Sequence, residues 1–101
     1  MDAFQAIADP TRRQIIELLG DREMSVGDLV TKVDVSFSAV SQHLKVLFES
    51  DLVRSRREGR KQFYSLSSAQ FDPVLEWLAQ YATAYWRTRL DRLGAVVERI
   101  K

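Results

Sequence analysis

The segment from Ser25 to Leu66 constrains the fold more than any other part of the chain. It begins Ser25-Val-Gly-Asp-Leu-Val-Thr-Lys-Val33, turns through Asp34-Val35-Ser36, and continues Phe37-Ser-Ala-Val-Ser-Gln-His-Leu-Lys-Val-Leu47. Arg54-Ser-Arg-Arg-Glu-Gly-Arg-Lys61 and Gln62-Phe-Tyr-Ser-Leu66 follow. Ser25 and Ser36 each precede an apolar run, the position at which a hydroxyl caps the free N–H groups of a first helical turn. Val26, Leu29, Val30 and Val33 share one helical face in the first run. In the second, expected to reach about Glu49, Val40, Leu44 and Leu47 cluster on one side and Ser38, Gln42, Lys45 and Glu49 lie opposite, with Ser41 and His43 on the flanks. The next two runs predict strands over Val53–Arg57 and Lys61–Leu66, turned by Glu58-Gly59-Arg60. Two amphipathic helices followed by a hairpin with a basic tip make a helix-turn-helix (about 25–49) with a wing (about 53–66). The fold class expected is mainly α with a small β-hairpin.

The rest of the chain is read as support. Phe4 and Ile7 lie on one face of a short helix over residues 2–8. Asp9-Pro10 opens a second helix as N-cap and first residue. Ile15, Ile16, Leu18 and Leu19 pack inward from it, and Gly20 is expected to end it. Arg12 and Arg13 near its start are expected to pair with Asp9 or Glu17, or to touch a DNA backbone. Ser67 to Gln70 fits a capping box, and Asp72-Pro73 offers a second helix start. From Val74 to Ile100 only Gly94 interrupts an apolar helical pattern. A chain of 101 residues is expected to form one domain over 1–101.

Charge sharpens the reading. The net charge of +1 hides an asymmetry. Residues 1–35 carry four basic and seven acidic side chains, whereas residues 36–61 carry six basic and three acidic. A positive patch on one segment is the footprint of a polyanion partner. Short Ser36, Ser38 and Ser41 let a helix backbone approach phosphates. Gln42 can pair with adenine, and Lys45 can meet guanine or phosphate. His43 sits on the flank of that helix as a packing or phosphate-contacting group. Arg54, Arg56, Arg57, Arg60 and Lys61 place five cations on the wing, where they can reach phosphates or a narrow minor groove. Ordered this way, helix and wing imply binding of double-stranded DNA.

Several function classes are excluded. No cysteine is present, so disulfides and thiolate metal sites are ruled out. One histidine and no phosphate-cradling glycine loop leave no catalytic constellation, so an enzyme is not expected. No cofactor and no metal site are expected either, since a lone histidine cannot supply three or four convergent ligands. No apolar run reaches the ~18–20 residues of a membrane span, and the N-terminus lacks a signal-peptide layout; a cytoplasmic protein is expected.

The terminal segment carries more apolar surface than one monomeric core needs. Leu75, Leu78, Ala82, Tyr85 and Trp86 continue into Leu90, Leu93, Val97 and Ile100. Trp86, Leu93 and Ile100 are spaced by seven with Leu90 and Val97 between them, as in a short coiled-coil seam. Trp77, Tyr81, Tyr85 and Trp86 concentrate the aromatic area that interfaces favour. A two-fold homodimer through residues 2–8 and 73–100 is expected, with Phe4, Ile7, Trp86, Leu90, Leu93, Val97 and Ile100 at its interface.

Three motifs together resemble the ArsR/SmtB family of bacterial repressors. They are Phe4-x-Ala-Ile-Ala-Asp9-Pro10-Thr-Arg-Arg13-x-Ile15-x-x-Leu-Leu19, Ser38-x-Val-Ser-x-His43-Leu-x-x-Leu47, and Leu52-Val-x-x-Arg56-Arg-x-Gly59-Arg60 with Tyr64-x-Leu66. The resemblance implies a winged helix dimerising through its first and last helices. Its fourth helix would read an imperfect inverted-repeat operator, often that of its own operon. Metal-sensing members carry Cys in the helix matching 26–33, or Asp, His and Glu sets in the terminal helix. Here that helix has no Cys, and no His follows position 43. The expectation is therefore a metal-independent repressor of unidentified inducer. A metal- or ligand-responsive sensor of the same family and a winged-helix protein-interaction module are the alternatives.

Overall fold

A computed structural model describes residues 1–81 and 87–89. Expectations for Ala82, Tyr85, Trp86, Leu90, Leu93, Gly94, Val97 and Ile100 fall outside these residues. The elements run α1 (Ala3–Ala6), α2 (Pro10–Asp21), β1 (Met24–Ser25), α3 (Val26–Val30), α4 (Phe37–Glu49), β2 (Val53–Glu58) and β3 (Lys61–Leu66). A 3₁₀ turn (Ser68–Phe71) and α5 (Asp72–Ala79) close the series.

One turn of helix does not hold by itself in water, yet α1 is held at both ends. Asp2 accepts from the Gln5 N–H at 2.8 Å, and the Gln5 side chain accepts from the Asp2 N–H at 3.1 Å. At the other end Arg12 donates to the Ala6 and Gln5 carbonyls (2.6 and 3.1 Å), and Arg13 to the Ile7 carbonyl (2.7 Å). The two guanidiniums thus serve the orphan carbonyls at a helix C-terminus, where the dipole favours cations. Neither side chain forms the ion pair expected with Asp9 or Glu17, although the Arg12 charge still helps to lower the Asp9 carboxyl. Asp9 instead caps α2 by accepting from the Arg12 N–H at 3.0 Å, with Pro10 behind it. Gly20 does not end that helix: α2 runs on to Asp21 and closes on an extended Arg22.

The sheet has order β1-β3-β2 and is antiparallel throughout. Its two-residue first strand escaped the sequence reading, because Met24 and Ser25 are too short a run to show an alternation. Met24 pairs with Tyr64 and Ser25 with Phe63. Val53 to Glu58 pair with Leu66 to Lys61, leaving Gly59-Arg60 as a two-residue hairpin loop. A positive φ of 63° at Gly59, the first loop residue, is the sign of a type II′ turn.

The core gathers Ile15 and Leu19 from α2, Met24, Leu29, Val33, Val40, Leu44 and Leu47, and then Leu52 and Val53 at the entrance to the wing. Ser25 is the one buried polar residue among those described, and it is satisfied. Its hydroxyl accepts from the Asp28 N–H at 3.1 Å, while the Asp28 carboxylate accepts from the Ser25 N–H at 3.1 Å. The junction from α4 to β2 is tight. Leu52 N–H donates to Leu47 O and Asp51 N–H to Phe48 O, both at 3.0 Å, the Schellman pattern, with Asp51 at φ 61°.

The terminal segment departs from the unbroken helix expected. The Ser67 side chain forms no cap, so the predicted capping box is absent. α5 starts at Asp72 with Pro73 in its first turn and stops at Ala79, and Tyr81 N–H bonds the Leu78 carbonyl at 3.1 Å. Residues 87–89 are helical again. Helices owe most of their stability to a buried face, and α5 buries no residue within this chain.

Candidate nucleic-acid interface

α4 is set by three devices. The Ser36 hydroxyl accepts from the Ala39 N–H at 3.1 Å and starts the helix. Val40, Leu44 and Leu47 anchor it in the core. Asp9 reaches it from the start of α2, with 3.9 Å between Asp9 Oδ2 and His43 Nδ1. The Arg12 N–H hydrogen bond, with the His43 charge as a lesser contribution, holds the Asp9 carboxyl below its ordinary range. His43 is therefore a link between α2 and α4 at the helix flank.

Once anchored, α4 leaves Ser38, Gln42 and Lys45 exposed in one row, as the periodicity predicts, with Ser41 half-buried beside them. Lys45 lies 4.0 Å from Glu49 and remains largely in solvent. Ser36 is exposed at the N-terminal end of the row.

The wing sorts its cations by strand parity. Successive side chains of a strand point to opposite faces. Val53, Ser55 and Arg57 share one face with Gln62, Tyr64 and Leu66 across the ladder. That face looks toward α4: Ser41, Lys45 and Phe48 join Ser55, Gln62 and Tyr64 around an open groove of about 160 Å³. Gln62 donates to the Ser55 hydroxyl across it at 3.1 Å. Arg57 thus shares a face with the groove beside the α4 row. Arg54, Arg56 and Glu58 occupy the other face.

Arg56 is engaged inside the protein. Its Nε and Nη2 grip both Glu23 oxygens at 2.7 and 2.6 Å, and Nη1 donates to Glu58 at 2.8 Å. Its guanidinium carbon lies 4.8 Å from the centroid of the Phe63 ring. The two carboxylates raise the Arg56 pKa further, and the Arg56 hydrogen bonds lower that of Glu23. Arg56 therefore straps the wing to the residue ahead of β1, a role its place in a basic run did not reveal. Glu23 was missed for the same reason, since a contact across thirty-three positions leaves no local signal. Arg54, Arg57 and Arg60 form no such ion pair among the described residues. Lys61 faces Glu58 in the ladder, and its charge helps to hold the Asp28 carboxyl low, after the two Ser25 hydrogen bonds.

Phe37 is the second residue the sequence reading passed over. It opens α4 yet stays 60% exposed. No local signal marked it, since the helical wheel puts Phe37 on the side of Val40 and Leu44, and only its place in the first turn leaves it uncovered.

Far from this surface, Phe4 of α1 meets Trp77 of α5 edge-on at 5.9 Å, and Trp77 meets Tyr81 at 5.2 Å. Leu75 and Leu78 are also exposed, while Ile7 packs against the core. Of the expected dimer residues, Phe4 and Ile7 are described and the other five are not.

A polar helix row beside a cationic hairpin, on a three-stranded antiparallel sheet, defines the winged helix-turn-helix class of DNA-binding proteins. The family described as "Bacterial regulatory protein, arsR family" matches residues 9–55. The transcriptional repressor SdpR of Bacillus subtilis (strain 168) is 31% identical over 80 residues, 79% of this chain and 89% of SdpR. The arsenical resistance operon repressor of Escherichia coli (strain K12) is 34% identical over 98 residues, 96% of this chain and 80% of that protein. Vibrio cholerae HlyU, a transcriptional activator, is 42% identical over 75 residues, 74% of this chain and 69% of HlyU. A crystal structure titled as a possible transcriptional regulator for arsenical resistance superposes with a TM-score of 0.75 at 34% identity, covering 94% of this chain and 95% of that one. The chain belongs to the ArsR family of DNA-binding transcriptional regulators, and is accordingly not an enzyme. No helix among the described residues is long and apolar enough to cross a membrane.

Proposed function

We propose that the chain acts in the cytoplasm as a homodimeric, metal-independent repressor. Each α4 enters a major groove, and the two groove-entering helices lie about 34 Å apart on an imperfect inverted repeat. The observation that carries this reading is the common side of Ser38, Gln42, Lys45 and Arg57, which brings a base-reading row and a phosphate-binding cation to one surface. Gln42 reads a base, with Lys45 beside it. Ser36, Ser38 and Ser41 meet phosphate near the helix N-terminus. Arg57, Arg60 and Lys61 neutralise backbone on either side of the groove. Arg56 and His43, both engaged within the protein, hold the wing and α4 in position. The exposed Phe4, Leu75, Trp77, Leu78 and Tyr81 support dimerisation through α1 and α5, since an aromatic patch of this kind marks an interface. Repression follows the named action of two of the relatives above, and HlyU makes activation the opposite outcome of a reporter assay.

Selection of bound duplexes from a random DNA pool by the purified chain tests the proposal. Enrichment of an inverted repeat, with affinity unchanged by Zn²⁺, Ni²⁺ or a chelator, is expected. Loss or gain of affinity with metal removes metal independence. Absence of any preferred sequence at low salt turns the same surface into a docking site for an acidic protein.

A further inference from the structure

Phe37 occupies the first position of α4, between Ser36 and Ser38, and its ring is 60% exposed. It contributes nothing to the buried core. Across from it, Lys61 and Gln62 of β3 and the Ser25–Asp28 start of α3 complete an open concavity of about 310 Å³. A lone exposed apolar side chain is ordinary on a protein surface. Phe37 differs by its place. It stands at the N-terminus of the helix assigned to the groove, above two short serines and opposite a cation.

We propose that Phe37 is a specificity determinant that packs against the 5-methyl group of a thymine. The inference rests on the reading of α4 as the groove-entering helix. In the major groove thymine alone presents an apolar group, its C5-methyl, and a phenylalanine ring is a fitting partner for it. That methyl lies at the outer rim of the groove, near the sugar-phosphate chain. The Ser36 hydroxyl is used to cap Ala39, but the other N–H groups of the first turn point outward and favour an anion there. Lys61 flanks the same concavity and supplies a charge for a neighbouring phosphate. The site thus sets an apolar ring beside a cation and the free N–H groups of a helix start, with the Asp28 carboxylate on the far side of the concavity held by its Ser25 hydrogen bonds. Phe37 adds apolar readout to the hydrogen bonding of Gln42.

The test uses the full chain and the duplex selected above, with each thymine replaced in turn by uracil, which removes the methyl and keeps the base pair. For the unmodified chain, one thymine per half-site is expected to cost about fourfold in affinity when demethylated, the worth of one buried methyl. With Phe37→Ala that position is expected to become indifferent to the methyl, while other positions keep their profile. Thermal unfolding and the salt dependence of binding should match the parent chain. Superimposable uracil scans for the two proteins overturn the inference. If Gln42→Ala changes the selected sequence while Phe37→Ala leaves the scan unaltered, only this inference falls. If the pool yields no preferred duplex, it falls together with the reading of α4.

Discussion

The reading half of the molecule and its terminal half are built on opposite terms. From α2 through β3 each helix places leucine, isoleucine or valine in a shared interior, and Leu29, Val40, Leu47 and Leu52 are wholly buried. α5 buries nothing, and its Leu75, Trp77 and Leu78 face solvent with Phe4 of α1. The first half holds nearly all of the buried core, closed by Ala6 of α1. Among the described residues, the second carries the composition of an interface and leaves it largely uncovered. Capping shows the same contrast: Asp9, Ser25 and Ser36 each cap a helix with a side-chain hydrogen bond, whereas α5 starts with none.

The largest effects should separate these halves. Leu44→Ala removes a fully buried side chain under α4 and should cost about 2–5 kcal/mol, a large share of a small domain's stability. Denaturant unfolding at several protein concentrations measures it. Leu78→Glu, on the exposed face, should leave the cooperative core transition in place and instead give monomers by sedimentation with weakened operator binding. A dimer that persists with Leu78→Glu would break the comparison, since the terminal half would not then be the interface.

Within the wing, the two faces of one strand should respond differently. Arg57→Ala is expected to weaken binding to all duplexes alike and to flatten the salt dependence by about one unit, the signature of one lost phosphate contact. Arg56→Ala should leave that slope unchanged. Its cost should appear as a small fall in stability, because a half-exposed ion pair contributes little. Equal salt slopes for the two variants would remove the sorting by strand parity.

How much of this was legible in the sequence follows from the range of the interactions. The helix-turn-helix could be read because caps and apolar spacing are local. Ser25-Val-Gly-Asp28 and Asp9-Pro10 encode their hydrogen bonds within three residues. The hairpin loop was legible for the same reason, with Gly59 at the one loop position that needs a positive φ. Strand β1 was not, because Met24 and Ser25 become a strand only by pairing with Tyr64 and Phe63. The partners that Arg12, Arg13 and Arg56 hold within the protein were not legible, because a guanidinium on a long stem chooses its partner in space. Gly20 was read as a stop by its residue type, yet the helix passes through it without a left-handed residue. The end of α5 at Ala79 follows no breaker in the sequence and accompanies the missing burial.

Acid should affect the reading half first. Asp9, Asp28 and Glu23 are each held below their ordinary range, by the Arg12 N–H, the Ser25 hydrogen bonds and the Arg56 guanidinium respectively. A carboxyl that ionises more easily folded than unfolded adds stability at neutral pH. That stability is lost as pH falls below the carboxylate range of about 4, because the unfolded chain takes up protons first. The melting temperature should hold steady from about pH 7 down to about pH 5 and then fall toward about pH 3. A flat profile to about pH 3 would mean that these three hydrogen bonds give the folded state no advantage.

The smallest effect expected is a gain. Asp51 sits at φ 61° at the end of α4, where an L-residue crowds its own carbonyl and glycine does not. Its backbone completes the Schellman pattern and delivers Leu52 into the core beside Leu47. Asp51→Gly keeps those backbone bonds and relieves the crowding. It also gives the unfolded chain more freedom, so the two effects partly offset. A net stabilisation of about 0.5 kcal/mol is expected from the preference of this position for glycine. Because the site belongs to the half that holds the buried core, the gain should be the same in the parent chain and in the Leu78→Glu background. Unfolding of the four proteins as a double-mutant cycle measures it. A coupling larger than the gain itself would mean that the terminal half reaches into the α4–β2 junction, and that the two halves are less separate than their burial makes them.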